Sequence, residues 1–134
     1  MMKKSNKKGF TLVELIVVIA IMAILAAVLV PTVTSKIKDA NRSTAISDIN
    51  AVASTIQADL VSLQSGSTNT TYLATKSTAK ATDGKINDKI TISYTAATSD
   101  AQGFWTITHS EKGDLGITDA KVLDDGTVTN AAKA

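Results

Sequence analysis

The chain opens with a long apolar segment that follows a basic one. From Phe10 to Val30 only Thr11 and Glu14 are polar, and Leu15 to Val30 contains no polar residue. A helix rises about 1.5 Å per residue, so this segment spans roughly 30 Å, the thickness of a bilayer's hydrocarbon core. The lysines before it are Lys3, Lys4, Lys7 and Lys8. By the positive-inside rule, the pattern predicts a single-pass membrane helix whose N-terminus lies in the cytoplasm.

The apolar pattern changes after Pro31, the only proline of the chain. From Thr32 to Leu63 the apolar residues form two runs with steps of three and four and a shift of phase near Arg42, which is typical of an amphipathic helix with one buried face. Those residues are Val33, Ile37, Ala40, Ile46, Ile49, Ala53, Ile56, Leu60 and Leu63; the opposite face carries Lys38, Asp39, Arg42, Asp48 and Asp59. Ser65 and Gly66 form a stop signal. We therefore expect one helix from Phe10 to about Gln64, with a helix kink at Pro31, where a backbone donor is missing.

The segment 65–85 is rich in serine, threonine and glycine, and we predict a long exposed loop in which only Tyr72 and Leu73 serve as anchors. The triplet Asn69-Thr70-Thr71 fits the N-glycosylation pattern, and Asn41-Arg42-Ser43 fits it inside the predicted helix. We expect an unmodified polar loop, because so short a pattern arises easily in a threonine-rich segment; glycosylation is the alternative.

The last third of the chain carries strand patterns. Apolar and polar residues alternate in Ile86–Thr95 and again in Phe104–Ser110, which predicts two half-buried strands. Ile117–Val122 fits a short strand or an irregular link, and Asp125-Gly126 marks a hairpin. We expect residues 130–134 to fray. The predicted fold class is α+β: a long N-terminal helix, half transmembrane and half amphipathic, packed on a small antiparallel β-sheet of three or four strands.

Composition narrows the possible functions. The chain has 134 residues and no cysteine, which excludes disulfides and thiolate metal sites. Its formal charge of +2 comes from residues 1–9, which hold four lysines and no acid; without them the side-chain charge is −2. The remainder therefore lacks the basic bias of a dedicated nucleic-acid binder.

The residues that could carry chemistry form no catalytic set. His109 is the only histidine, and its place on a strand face with Trp105 and Ile107 favours a packed residue over a base. No serine, aspartate and histidine set and no glycine-rich phosphate loop is present, so we predict that the protein is not an enzyme. Four aspartates near the C-terminus are weak calcium candidates: Asp114, Asp119, Asp124 and Asp125. Aspartates that hydrogen-bond within turns explain them more simply, so we expect no cofactor.

The sequence Lys7-Lys8-Gly9-Phe10-Thr11-Leu12-Val13-Glu14, followed directly by the apolar segment, resembles the N-terminus of type IV prepilins and of their relatives, the pseudopilins of type II secretion. The resemblance covers about the first third of the chain. It implies a cleavage site between Gly9 and Phe10, methylation of Phe10, and a role for Glu14 in filament assembly. It also implies a structural subunit of a surface filament, as in adhesion or twitching motility. Many family members staple the C-terminal region with a disulfide, and this chain departs from that pattern.

The resemblance and the hydrophobic pattern together divide the chain into three parts. Residues 1–9 are a basic leader that is cleaved, 10–30 are the transmembrane and filament-core helix, and 31–134 are an extracytoplasmic head. The head comprises a helix at 32–64, a loop at 65–85 and a sheet at 86–130. The implied partners are further copies of the chain, a prepilin peptidase, the inner-membrane assembly machinery and, before assembly, the membrane itself.

Two alternatives remain open from the sequence, and two others are disfavoured. The chain fits a major pseudopilin of a type II secretion or DNA-uptake system, since the N-terminus does not separate the two kinds of subunit. It also fits a membrane-anchored exported binding domain. A secretory signal peptide is disfavoured by the length of the apolar segment, although Ala23, Ala26 and Ala27 imitate a cleavage site. A plain anchor leaves Glu14 unexplained, because ionisable groups inside membranes are expensive and usually functional.

Overall fold

The computed structural model describes residues 11–134. The chain divides into two compact units, the first ending at Lys38 and the second comprising Asp39–Ala134. One helix, α1 (Leu12–Gln64), contributes to both units. The cleavage and methylation sites predicted at Gly9 and Phe10 lie outside the described residues.

Helix α1 has the length that the apolar pattern predicts. It continues through Pro31, and the kink stays a prediction. The hydroxyl groups of Thr32 and Thr34 donate to the carbonyl oxygens of Val28 and Val30 at 3.2 and 2.9 Å. The two threonine hydroxyls thus donate to helix carbonyls close to Pro31. Proline itself has no backbone N–H to donate.

The helix ends at the predicted stop signal. Gly66 has a φ of +85°, a conformation that glycine adopts without a steric penalty. Its N–H donates to Leu63 at 3.1 Å, and the N–H of Ser67 donates to Ser62 at 3.0 Å. This pair of bonds is a Schellman motif, which satisfies the last helix carbonyls.

The sheet is formed by four antiparallel strands in sequential order. Their bounds are β3 (Ile90–Thr95), β4 (Phe104–His109), β5 (Ala120–Leu123) and β6 (Val128–Thr129). Two further short strands, β1 (Leu73–Thr75) and β2 (Thr78–Ala79), form a separate hairpin, and α2 (Lys112–Leu115) is a single helical turn. The α+β prediction is confirmed, with a small hairpin in addition to the predicted sheet.

Two local predictions need correction, and one ambiguous segment is resolved. The segment 65–85 is not wholly a loop, because it contains β1 and β2. The first strand of the sheet begins at Ile90 rather than Ile86, since the Asn87 side chain accepts the N–H groups of Lys89 and Ile90 at 2.8 and 2.9 Å and makes a turn there. The ambiguous segment after Ile117 resolves into β5, and the Asp125-Gly126 hairpin joins β5 to β6 as predicted.

The core of the second unit lies between α1 and the sheet. Trp105 and Ile107 of β4 are almost fully buried against Ile49 and Ile56 of the helix. Leu73 is also buried and Tyr72 is half-buried, so both predicted anchors contact this core. From Ile46 to Leu63 the helix therefore buries the apolar face that its spacing predicts. Val33, Ile37 and Ala40, which were predicted to be buried as well, are exposed.

The C-terminal residues do not fray, contrary to the prediction. Ala131 is buried, and its N–H donates to the Asn50 side chain of α1 at 2.8 Å. Ile117 pairs with Lys133, and the N–H of Ala134 donates to Gly116 at 2.8 Å. A helix side chain and backbone pairing thus hold the C-terminal residues in place.

Candidate functional site: the apolar helix and its polar start

The N-terminal part of α1 presents apolar side chains around its whole circumference. We call Leu12–Val30 the apolar segment. Its large side chains are 49–73% exposed within the first unit. An 18-residue window of the helix has a mean hydropathy of 3.1, and none of it is buried. The segment is long and apolar enough to cross a membrane.

A capping box closes the start of this helix. The N–H of Glu14 donates to the Thr11 hydroxyl at 3.2 Å, and the N–H of Thr11 donates to Oε2 of Glu14 at 3.4 Å. Such reciprocal bonds satisfy two of the donors that every helix start leaves free. The sequence signal was present, since threonine followed three residues later by glutamate is the capping-box pattern, but the prediction treated Glu14 only as an assembly residue.

The capping box leaves much of the Glu14 carboxylate available. Within residues 11–134, Oε1 of Glu14 accepts no hydrogen bond, and its other oxygen accepts one long bond. A carboxylate needs a charged or strongly polar partner when it is transferred into hydrocarbon. Glu14 therefore combines a local structural role with an unfilled capacity for a cation.

The four aspartates predicted as weak calcium candidates do not converge. Asp119 accepts from Lys112 at 3.0 Å, and Asp124 accepts from the Tyr94 hydroxyl at 2.9 and 3.0 Å. Asp125 accepts from Gln102 at 3.0 Å and from the N–H of Thr127 at 2.9 Å. Asp114 is exposed. No group of three carboxylate or imidazole side chains able to hold a metal ion occurs in the described part of the chain.

His109 is buried in the core face of β4, as the strand pattern predicts. Its Nδ1 accepts the N–H of Glu111 at 3.1 Å. Beside it, the salt bridge between Lys89 and Glu111, 2.8 Å long, raises the pKa of the lysine and lowers that of the glutamate. The histidine is thus a packed strand residue within the second unit.

Asp59 is buried, contrary to its predicted position. It was assigned to the polar face of the helix, but it is only 4% exposed. Its carboxylate accepts the N–H groups of Thr71, Tyr72 and Leu73 at 2.9, 2.7 and 3.3 Å. We call this arrangement the Asp59 clamp. The signal was its spacing, since Asp59 follows Ile56 by three residues and therefore lies on the apolar side.

Tyr94 carries a pH dependence that can be tested directly. Burial, and then the hydrogen bond to the Asp124 carboxylate and its charge, raise the pKa of Tyr94 above its ordinary value of 10.0. A raised folded-state pKa means that the contribution to stability is complete below the unfolded value and is lost as the pH rises through the folded value. We expect Tyr94→Phe to reduce the loss of stability between neutral and strongly alkaline pH.

The measurement is absorbance titration of tyrosinate together with thermal unfolding at increasing pH. The chain has only two tyrosines, so Tyr72→Phe is the matched control. In Tyr72→Phe the remaining tyrosine should titrate above the ordinary range. A remaining tyrosine that titrates like a free one in that variant would contradict the prediction.

Comparison with known proteins places the similarity in the N-terminal part. Residues 4–30 match the model of the prokaryotic N-terminal methylation motif. The type IV wide pilus major component PilA4 of Thermus thermophilus is 53% identical over 45 residues, 34% of this chain and 34% of that protein. The type II secretion system core proteins G of Klebsiella michiganensis and Pseudomonas aeruginosa are 42% identical over 55 residues, 41% of this chain and 39% of each relative. The matches thus span well under half of these relatives. No solved structure matches the chain significantly.

Proposed function

We propose that the chain is the structural subunit of a type IV pilus, because residues 4–30 match the prokaryotic N-terminal methylation motif and part of the chain is similar to a type IV pilin and to type II secretion core proteins G. In this proposal it is made as a prepilin, cleaved after Gly9, methylated at Phe10 and polymerised through α1. The protein is a structural subunit rather than an enzyme, and it is the substrate of a prepilin peptidase.

The observation that carries the proposal is the exposed apolar segment. Covering one valine, leucine or isoleucine side chain is worth about 1.5–3 kcal/mol. The segment holds more than a dozen such side chains, each about half exposed or more. Their summed cost in water exceeds the roughly 5–15 kcal/mol that stabilises a typical domain. The segment therefore needs lipid before assembly and other helices afterwards.

Glu14 would fix the axial register between neighbouring helices, which apolar contacts set poorly. Helices in a membrane gain little from apolar contact alone, because lipid tails are as apolar as leucine, so such contacts set the axial register poorly. Cleavage after Gly9 would create a positive amine on Phe10. A neighbouring subunit displaced along the axis would bring this amine to the free oxygen of Glu14. That pair would compensate a buried charge and fix the register at once.

Two features of the second unit are consistent with the proposed pilus subunit. Three of the four aspartates near the C-terminus are engaged by Lys112, Tyr94 or Gln102. The segment after α1 presents exposed serine and threonine side chains to solvent. A major pseudopilin of a type II secretion or DNA-uptake system is the second candidate, favoured by the similarity to the two core proteins G.

Processing provides the first test. We expect the mature protein to begin at N-methylated Phe10, so mass spectrometry should show the loss of residues 1–9 and the gain of one methyl group. Gly9→Leu should block cleavage, because the family's peptidase accepts little or no side chain at that position. Negative-stain microscopy of shed filaments then separates long surface fibres from short ones. An intact N-terminus, or cleavage near Ala26, would refute the proposal and favour a membrane-anchored exported domain or a signal peptide.

A further inference from the structure

The segment that joins α1 to β1 contains an asparagine whose side chain has no hydrogen-bond partner in the described part of the chain. Asn69 is exposed and lies in irregular backbone between Gly66 and the hairpin. Its N–H donates to the Ser67 hydroxyl at 3.1 Å, and its side chain makes no hydrogen bond within residues 11–134. Two residues later, the Thr71 side chain is likewise exposed, and its hydroxyl has no partner in the same range.

The residue between them is held inward. Thr70 is buried, and its hydroxyl donates to the carbonyl oxygen of Leu73. Its own carbonyl oxygen accepts from Lys80. The Asp59 clamp holds the backbone N–H groups of Thr71 and the two residues after it. The fold therefore fixes the backbone of the triplet and turns its first and third side chains to solvent.

The second triplet of the same pattern is arranged differently. Asn41 and Ser43 lie inside α1, where side chains two residues apart point in different directions. Asn41 also lines a small cavity with Leu115 and Glu111, so a bulky group there would meet the segment that packs on the helix. The triplet Asn41-Arg42-Ser43 therefore serves as a control for the triplet at Asn69, since it has the same sequence pattern in a different structural setting.

We propose that Asn69 is the acceptor of an N-linked oligosaccharide. The asparagine–any–threonine pattern supplies the amide and the hydroxyl that such a transfer uses, and glycans occupy exposed positions of exported proteins. The donor is an oligosaccharide linked to a lipid through phosphate on the extracytoplasmic side of the membrane. This inference rests on the export of the second unit in the proposed function.

The reaction exchanges one bond for another without oxidation or reduction. The bond between the anomeric carbon of the sugar and the phosphate oxygen of the lipid carrier breaks. A bond forms between that carbon and Nδ2 of Asn69, which loses one proton to a carboxylate base of the transferase. The lipid phosphate leaves with the electron pair of the broken bond.

The folded structure accommodates the product at this position. A glycan on Nδ2 of Asn69 extends into solvent and displaces no hydrogen bond of the second unit. The buried contacts of Thr70 and the Asp59 clamp are unaffected, because they use the following residues. Asn69→Gln should therefore remove the glycan without changing the melting temperature of the unmodified protein.

The test is mass spectrometry of the mature protein isolated from its native producer. Trypsin cuts after Lys38, Arg42 and Lys76, so Asn41 and Asn69 fall on separate peptides. We expect a sugar mass on the peptide with Asn69. It should disappear in Asn69→Gln and in Thr71→Val, and it should persist in Thr71→Ser and in Asn41→Gln.

Each remaining outcome overturns the inference. An unmodified Asn69 in protein that has lost residues 1–9 refutes the glycan and leaves the proposed function intact. A sugar on serine, on threonine or on Asn41, with Asn69 unmodified, refutes it as well. Protein that retains residues 1–9 instead refutes the proposed function on which the inference rests.

Discussion

Replacing Glu14 by valine should abolish filaments while leaving leader removal intact. Removing one partner of a buried ion pair costs about 3–5 kcal/mol, which corresponds to a more than 100-fold weaker addition of each subunit. Valine also removes the carboxylate that accepts the Thr11 N–H in the capping box. The measurement is the yield of sheared filaments relative to the amount of processed subunit in the membrane.

A second substitution separates the charge of Glu14 from its role in the helix cap. Glutamine also serves in a capping box, so Glu14→Gln keeps the bond to Thr11 and removes only the charge. If the carboxylate pairs with the amine of Phe10, Glu14→Gln should lose filaments as Glu14→Val does. Wild-type filament yield from Glu14→Val would defeat the assembly role. Loss in Glu14→Val with full yield in Glu14→Gln would assign the residue to the cap alone.

Replacing Asp59 by alanine should destabilise the second unit by about 3 kcal/mol. Three backbone N–H groups lose their acceptor at once, and each buried donor left without a partner costs about 1–3 kcal/mol, reduced where water can reach it. Asp59→Asn should fall between wild type and alanine, because its amide oxygen still accepts while the charge is gone. Hydrogen exchange at Thr71, Tyr72 and Leu73 should accelerate in both variants.

The matched control is Asp48→Ala, on the exposed face of the same helix. Substitutions at such positions usually change stability by less than about 0.5 kcal/mol. Trp105 is the only tryptophan and is buried in the core, so its fluorescence reports unfolding of the mature chain in detergent. Equal melting temperatures for Asp59→Ala and Asp48→Ala would show that the clamp contributes nothing.

The sequence predicted those elements whose pattern is local. Helix α1 and strands β3 and β4 follow from hydrophobic spacing, because the burial of a face imposes its period on the chain. The end of α1 and the hairpin between β5 and β6 follow from glycines at Gly66 and Gly126, both of which have a positive φ. Each of these signals needs only a few neighbouring residues.

The parts that were missed depend on partners distant in the chain. The hairpin of β1 and β2 is short and polar, and it is held by Asp59, which lies more than ten residues earlier. The ordered C-terminus depends on Asn50, separated from Ala131 by 81 positions. Asp59 was assigned to the wrong face of the helix, and helical spacing does not indicate which distant backbone groups bind Asp59 or Asn50.

The prediction for Glu14 missed a contact between residues that are close in the chain. The family resemblance implies a role for Glu14 between subunits. It does not indicate the capping box that Glu14 forms with Thr11, although the pattern of the two residues is typical of one. A residue can satisfy a local rule and serve an intermolecular role at the same time. Comparing glutamine with valine at this position distinguishes the two roles.

Three hydrogen bonds connect α1 to the C-terminal half of the chain. Arg42, Asn50 and Gln57 of the helix bind the backbone of Leu115, Ala131 and Gly126. In the proposed filament, tension would act on each subunit through its N-terminal helix. Within the second unit, that load would reach the sheet only through non-covalent contacts, namely these three side chains and the buried core.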